Sequence, residues 1–390
     1  MATGVQIPGS GETIDLQQQV ARLQALLEAS RQVHSTIREE EVLEQVLRIV
    51  VRELEMDGAA FTGTGLAYGD IDTTTLDTAS GLLRYSLDDR DGTRMTELVI
   101  APPDGRILSL YEADFLDGLA LQAAVALENA RNHKRNVDFA RVQQDLDAAR
   151  QIQRSLLPQH MHAIPGYSIG FKSATCYEVG GDYLDIVPQP DGSILMAVAD
   201  VAGKGLASAI VSMSFRSAFR AMAVTGLALD TLAARMNQHH WEEGEDTRRR
   251  YVTAIFLRLH PLTGDIQVLN AGHNPGFLVE PNGAVTQFDA TGTPLGLLPA
   301  MTYSIERHVF SPGSRLLFYT DGLTEVFHGD DEFGPERLLD EFSKCPSHKA
   351  DGILLALWAA LEEFSAGGPQ GDDMTALALC RWTDPSEMPA

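Results

Sequence analysis

The sequence predicts an α+β protein of two domains joined by a helical, coiled-coil linker. Three observations carry that prediction. The chain has 390 residues, more than one typical domain, and 44% of them are hydrophobic, enough for packed cores. Its C-terminal half alternates short apolar runs with Gly, Pro and Asp turns and adds a few long amphipathic stretches, the pattern of two packed sheets covered by helices. Its N-terminal third runs helix, small sheet, helix, then a charged stretch with apolar residues at three- and four-residue steps.

Residues 1–12 are rich in Gly, Ser and Thr and are expected to be disordered; they lack the basic and apolar regions of a signal peptide. From Ile14 to about Leu54 the pattern is helical. Leu16, Val20, Leu23 and Leu27 form a short coiled-coil seam that degrades at Ser30 and His34. A second helix, Glu39 to Glu55, follows without a strong breaker. Residues 58–110 read as a small sheet, with apolar runs at Leu82 to Leu87 and Glu97 to Ile100, and a last run, Arg106 to Leu110, after the turn Ala101 to Gly105. Glu112 to Asn132 is a helix. This order, and the segment LQAAVALENAR from Leu121 to Arg131, resembles a GAF sensor domain over residues 13–131. The sheet region is short for that family, and no Cys, His or basic cluster marks a haem, bilin or nucleotide site. A sensor and a ligand-free dimerisation module both fit.

The linker, 132–158, carries a stripe of Val142, Leu146, Ala149, Ile152 and Leu156. Seams in both flanking helices favour a parallel homodimer over packing of the stripe on its own chain. Pro158 ends the helix.

Within 159–383 the strands are Tyr183 to Val187, Ser193 to Ala199, Tyr251 to Leu259, Ile266 to Asn270, Phe277 to Val279, Ala284 to Phe288, Arg315 to Thr320 and Thr375 to Cys380. Helices occupy Leu206 to Val224, Leu229 to Trp241 and Ala350 to Phe364. Four acidic stretches sit at strand edges, each with a carboxylate beside a glycine: EVGGD from Glu178 to Asp182, DVAGKG from Asp200 to Gly205, YTDGLTE from Tyr319 to Glu325, and QGDDMT from Gln370 to Thr375. Antiparallel pairing around the turn Pro188 to Gly192 sets Asp182 beside Asp200. Carboxylates gathered this way repel one another unless a cation neutralises them, and hard Mg²⁺ or Mn²⁺ takes such oxygen ligands.

Acids outnumber bases 54 to 30, a formal charge of −24, which argues against nucleic-acid binding. No apolar run approaches the roughly 18 residues that span a bilayer. Three widely spaced cysteines, Cys176, Cys345 and Cys380, suit buried thiols of a reduced, cytoplasmic protein.

With Asn270 to Pro275 (NAGHNP) and Gly292 to Gly296 (GTPLG) in the same order, residues from about 160 to 382 resemble the PPM-type metal-dependent serine/threonine protein phosphatases, in the bacterial branch typified by SpoIIE and RsbU. The resemblance implies an αββα sandwich and a site of two Mn²⁺ or Mg²⁺ ions. By matched motif, Asp200 is the bridging ligand, with the Val201 carbonyl on one metal. Asp321 and Asp372 complete the other metal's shell, and Asp182 ligates directly or through water. Asp373 stands in for Asp372 equally well on sequence.

Glu178 reads as an acid behind the ligands and Asp185 as a solvated strand residue. Lys204 meets substrate phosphate or lies on the surface. His273 reads as structural rather than as a general acid, and Asn274 and Pro275 as turn formers. No Gly-x-Ser-x-Gly elbow, reactive-cysteine motif or phosphate-binding loop offers a covalent nucleophile or an NTPase. The implied substrate is a phosphorylated STAS-type anti-sigma-factor antagonist in a partner-switching stress or developmental pathway, with an upstream activator protein acting through the N-terminal domain. A catalytically silent scaffold of the same fold and a small-molecule phosphatase are the alternatives.

Overall fold

The structure, a computed structural model, describes residues 10–158 and 163–383 and divides into two compact units, Met1–Gln143 and Gln144–Ala390. Of the tail expected to be disordered, residues 1–9 lie outside the described residues and 10–12 already belong to the first helix. The expected domain start, 159–162, also lies outside them.

The first unit holds α1 (Ser10–Val33), α2 (Glu39–Glu53), β1 (Gly58–Phe61), β2 (Ala67–Gly69), β3 (Leu83–Asp88), β4 (Arg94–Ala101) and the start of α3 (Leu110–Leu156). Its sheet is antiparallel, in the order β2-β1-β4-β3. In α2, Val42, Leu43, Val46, Leu47 and Val50 fall on one stripe and are buried with Phe61, Leu98, Ile100, Leu116, Leu119 and Leu127. Two expectations fail here. Arg106 to Leu110 forms no strand, because Ser109 and Glu112 make a capping pair that starts α3 instead: Glu112 accepts hydrogen bonds from the Ser109 N–H and hydroxyl at 2.8 Å each. The helix also does not end near Asn132 but runs unbroken for 47 residues, since neither proline nor a capping glycine interrupts it before Pro158.

After the end of α3, the second unit holds β5 (Tyr167–Ala174), β6 (Tyr183–Pro188), β7 (Ile194–Val201), α4 (Leu206–Ala223), α5 (Leu229–Glu242) and α6 (Glu245–Arg248). Next come β8 (Val252–His260), β9 (Asp265–Ala271), β10 (Gly276–Val279), β11 (Val285–Phe288), β12 (Glu306–Val309) and β13 (Arg315–Tyr319). The last elements are β14 (Phe327–His328), β15 (Asp331–Glu332), α7 (Gly334–Lys344), α8 (Ala350–Ser365) and β16 (Met374–Arg381). The edge strands β5 and β12 and the helix α7 were not legible in the sequence.

Two five-stranded sheets, β11-β10-β13-β16-β5 and β12-β9-β8-β7-β6, form the sandwich. Alternate residues of one strand enter different cores. In β7, Met196 and Val198 meet Leu278, Phe318 and Leu377 between the sheets, while Leu195, Ala197 and Ala199 pack outward against Phe215, Phe219 and Leu232 of α4 and α5. On the other outer face, Leu317, Tyr319 and Ala378 pack under Phe342, Ile353 and Leu357 of α7 and α8. Because both faces are covered, these strands read as continuous apolar runs. Among the described residues no helix is long and apolar enough to cross a membrane.

Candidate metal centre

The four acidic stretches meet at one end of the sandwich. The β6–β7 hairpin pairs Tyr183 with Ala199, which sets Asp182 beside Asp200. β13 pairs Tyr319 with Ala376 of β16, which brings Asp321 next to Asp372 and Asp373. Thr320 joins the two sheets. Its hydroxyl accepts the Thr375 N–H at 2.9 Å and donates to Asp182 Oδ2 at 2.8 Å. Thr320 and Thr375 were missed in the sequence; the signal available was a threonine one or two positions from an acid at a strand end.

Burial pushes the Asp182 carboxyl well above the ordinary carboxylate range, and Asp200 pushes it further. Asp200 is raised to about 7, by burial first and then by Asp321, Asp372 and Asp373. Burial also raises Asp321 and Glu325; Asp372 adds to the rise of Asp321, and Asp321 to that of Glu325. A desolvated group of like charges favours protonation, and a divalent cation removes both penalties at once.

Asp372 and Asp373 are held differently. Asp373 is buried, and its Oδ1 and Oδ2 accept the N–H groups of Cys176 and Gly181 at 2.8 and 2.7 Å. Asp372 is half-buried; its Oδ1 accepts the Asp373 N–H and its Oδ2 meets Lys204 Nζ, at 2.8 Å each. Lys204 also donates to the Gly371 carbonyl at 2.8 Å. The Gly180–Gly181 pair has a steric reason. A Cβ on Gly180 would run into the Asp373 carboxylate, and one on Gly181 would sit 3.0 Å from the Val201 carbonyl and 3.3 Å from Asp200 Oδ1.

Glu178 lies half-buried in the loop before these glycines. Asp185 is not solvated: it is fully buried, takes the Tyr183 hydroxyl at 2.6 Å, and is gripped by Arg220 of α4 through Nε at 2.6 Å and a terminal nitrogen at 2.8 Å. A buried carboxylate persists only when paired in this way. His273 is buried beside the site, its Nδ1 2.8 Å from the Thr253 hydroxyl and its N–H donating to Asn270 Oδ1 at 2.7 Å. Asn270 in turn donates to the Asn274 carbonyl at 3.2 Å, closing the turn that Pro275 leaves. In the Gly292–Gly296 stretch, Leu295 pairs with Val252, and the Gly296 N–H donates to Asn237.

A contact with no local sequence signal completes the picture. The Gln153 amide, near the end of α3, donates to the Gly180 carbonyl at 2.7 Å and accepts the Gly180 N–H at 3.1 Å.

Among the described residues no three His, Cys, Asp or Glu side chains already converge as a finished ligand set. The donor chemistry nevertheless fits a hard divalent cation. The Val201 carbonyl and Asp200 Oδ1 both face the space beside the Cα of Gly181, and Asp200 is buried among Asp321, Asp372 and Asp373.

A family model for Stage II sporulation protein E (SpoIIE) matches residues 190–382. Protein IcfG of Synechocystis sp. is 26% identical over 264 residues, 61% of this chain and 41% of that protein. The phosphoserine phosphatase RsbP of Bacillus subtilis is 25% identical over 183 residues, 46% of this chain and 45% of that protein. The chain thus spans less than half the length of these two relatives. The solved SiaA-PP2C domain of Pseudomonas aeruginosa has the same fold, at TM-score 0.55 and 22% identity over 63% of this chain and 98% of that domain. Residues 190–382 thus match the SpoIIE family model as a phosphatase domain, and the second unit carries the PP2C phosphatase fold.

Proposed function

We propose that the chain is a metal-dependent protein serine/threonine phosphatase, releasing inorganic phosphate and the free hydroxyl from a phosphoserine or phosphothreonine. One observation carries this reading: Asp182, Asp200, Asp321 and Asp372 come from four separated stretches to one end of two sheets, where burial and mutual repulsion call for a cation. Two Mn²⁺ or Mg²⁺ ions would be held by these four acids and the Val201 carbonyl, and bound there they supply an activated water and neutralise phosphoryl charge. The protein's own groups do the positioning. Thr320 orients Asp182. Asp373, with both oxygens taken by backbone N–H groups, shapes the Gly180–Gly181 turn, so Asp372 is the ligand of the pair. Lys204 reaches substrate phosphate only after leaving Asp372.

The substrate we assign is a phosphorylated STAS-type antagonist of an anti-sigma factor. The motif resemblance and the likeness to a protein named phosphoserine phosphatase support it. The first unit is read as a GAF-like module, and the linker as the part that transmits its state, supported by the Gln153 grip on Gly180 and by Arg216 Nε donating to the Leu156 carbonyl at 3.2 Å. Exposed Val142 and Ile152 support a homodimer through the linker stripe, on which an activator protein would act. Unpaired thiols at Cys176, Cys345 and Cys380 suit the cytoplasm.

The test is hydrolysis of a phosphoserine protein with Mn²⁺ or Mg²⁺. EDTA should stop turnover, and Asp200→Asn or Asp321→Asn should lower it by more than about a hundredfold with the circular dichroism unchanged. Full activity in excess chelator would overturn the mechanism. Binding of the phosphoprotein without turnover would establish a scaffold instead.

A further inference from the structure

The Lys204 ammonium rests on two oxygens, Asp372 Oδ2 and the Gly371 carbonyl, at 2.8 Å each. Those are the donor types that a hard divalent ion uses. Lys204 is half exposed, at 47%, and Asp372 less so, at 25%, so the pair sits at the mouth of the acid cluster. Glu325 and Asp321 also face this mouth, and the Cys176 thiol lies beside it.

The backbone is shaped to make this reach. Gly203 and Gly205 flank Lys204 with φ of +99° and +78°, and a Cβ at either would meet nothing within 4 Å. Crowding therefore does not explain these glycines. The left-handed conformation does, because it turns the β7–α4 loop so that Lys204 crosses from the β7 sheet to the loop before β16. A lysine at the start of a helix is otherwise poorly placed against the helix dipole, so α4 does not account for it either.

From this geometry, and on the reading of the cluster as a metal site, we infer that Lys204 is a built-in rival of the divalent ion. It holds Asp372 when no ion is bound, and it must release that carboxylate before Asp372 can complete the ligand set. One ammonium leaves the carboxylate as the divalent ion arrives, the ion brings one further positive charge to the acid cluster, and no proton needs to move. The consequence is a threshold. The site fills only above an ion concentration set partly by the strength of the Lys204–Asp372 pair, and filling it frees the loop that leads into α4.

The experiment is calorimetric titration of Mn²⁺ into the metal-stripped full chain, comparing wild type with Lys204→Met and Lys204→Arg. The methionine keeps the apolar stem and removes the charge; the arginine keeps the charge. Lys204→Met should bind Mn²⁺ about three- to tenfold more tightly, the range open to a solvent-accessible ion pair beside further charge. Lys204→Arg should stay close to wild type. Circular dichroism checks that each variant is folded, and lysine side-chain NMR should show the Lys204 signal moving as Mg²⁺ is added to wild type. Equal or weaker binding by folded Lys204→Met, while wild type binds the ion, overturns the rivalry and leaves the metal site standing. No binding by any of the three proteins overturns the metal site, and the rivalry with it.

Discussion

The hydroxyl of Thr320 donates to Asp182 Oδ2 at 2.8 Å, so a residue at the tip of β13 in one sheet positions an acid at the head of β6 in the other. The same oxygen accepts the Thr375 N–H, leaving both atoms of the hydroxyl engaged in a fully buried place. Each sheet would be a competent strand array alone. This group, together with the Gly181 N–H on Asp373, sets how their acidic ends line up.

Thr320→Val should therefore cost more than its small change in shape. It leaves the Thr375 N–H without a buried partner and takes one hydrogen bond from the Asp182 carboxylate, a loss of about 1–3 kcal/mol. Urea unfolding should show that loss, and the Mn²⁺ concentration for half-maximal activity should rise. Thr320→Ser restores the hydroxyl and should recover most of both. A fully active, fully stable valine variant would mean that the bond does not position Asp182.

Gln153 grips both backbone polar groups of Gly180, and Gly181 carries the N–H that holds Asp373. Gln153→Ala should shift the Mn²⁺ dependence of the initial rate with little loss of stability, because the freed Gly180 groups can turn to water. A domain beginning near His160 lacks Gln153 and should show a shifted Mn²⁺ curve as well. Curves superimposable on that of the full chain would leave the linker without influence on the site.

Val142 and Ile152 are 56% and 62% exposed on the linker helix. If that stripe is a dimer seam, light scattering should give about twice the chain mass of 42.4 kDa. Leu146→Glu with Ile152→Glu places charge in the seam and should drive the protein to monomer. A monomeric wild type at micromolar concentration would rule the seam out.

His273 is 5% exposed, and burial lowers its pKa from 6.5 to about 4. The unfolded chain therefore binds a proton between those values that the folded chain refuses. The sign follows: this contribution is fully present above about pH 6.5 and is lost as the pH falls toward 4. The loss is at most about 3 kcal/mol. Chemical denaturation from pH 7 to pH 4 should show that slope, and His273→Asn should flatten it whatever its own effect at pH 7. An unchanged slope would place the acid sensitivity elsewhere.

Much of the second unit was legible along the chain. The runs Ser193 to Ala199, Arg315 to Thr320 and Thr375 to Cys380 became β7, β13 and β16, because apolar continuity bounded by turn residues is a local signal. The neighbouring of Asp182 and Asp200 was equally local, since a hairpin dictates its own register. The limits of α3 were harder. Ser109 and Glu112 outweighed the strand-like pattern of Arg106 to Leu110, and no breaker marked an end of the helix near Asn132.

By itself, then, the sequence determined the two-sheet architecture, the acidic stretches and the chemistry that oxygen donors imply. Only the tertiary structure decided how each acid is held: Asp185 buried on Arg220, Asp373 fastened by Cys176 and Gly181, and Asp372 tied to Lys204. Those differences rest on partners between 35 and 197 positions away, counting Asp185 to Arg220 and Asp373 to Cys176. Propensity and periodicity act within a turn or a hairpin, whereas the state of a buried charge is set by whatever the completed fold brings within hydrogen-bonding reach.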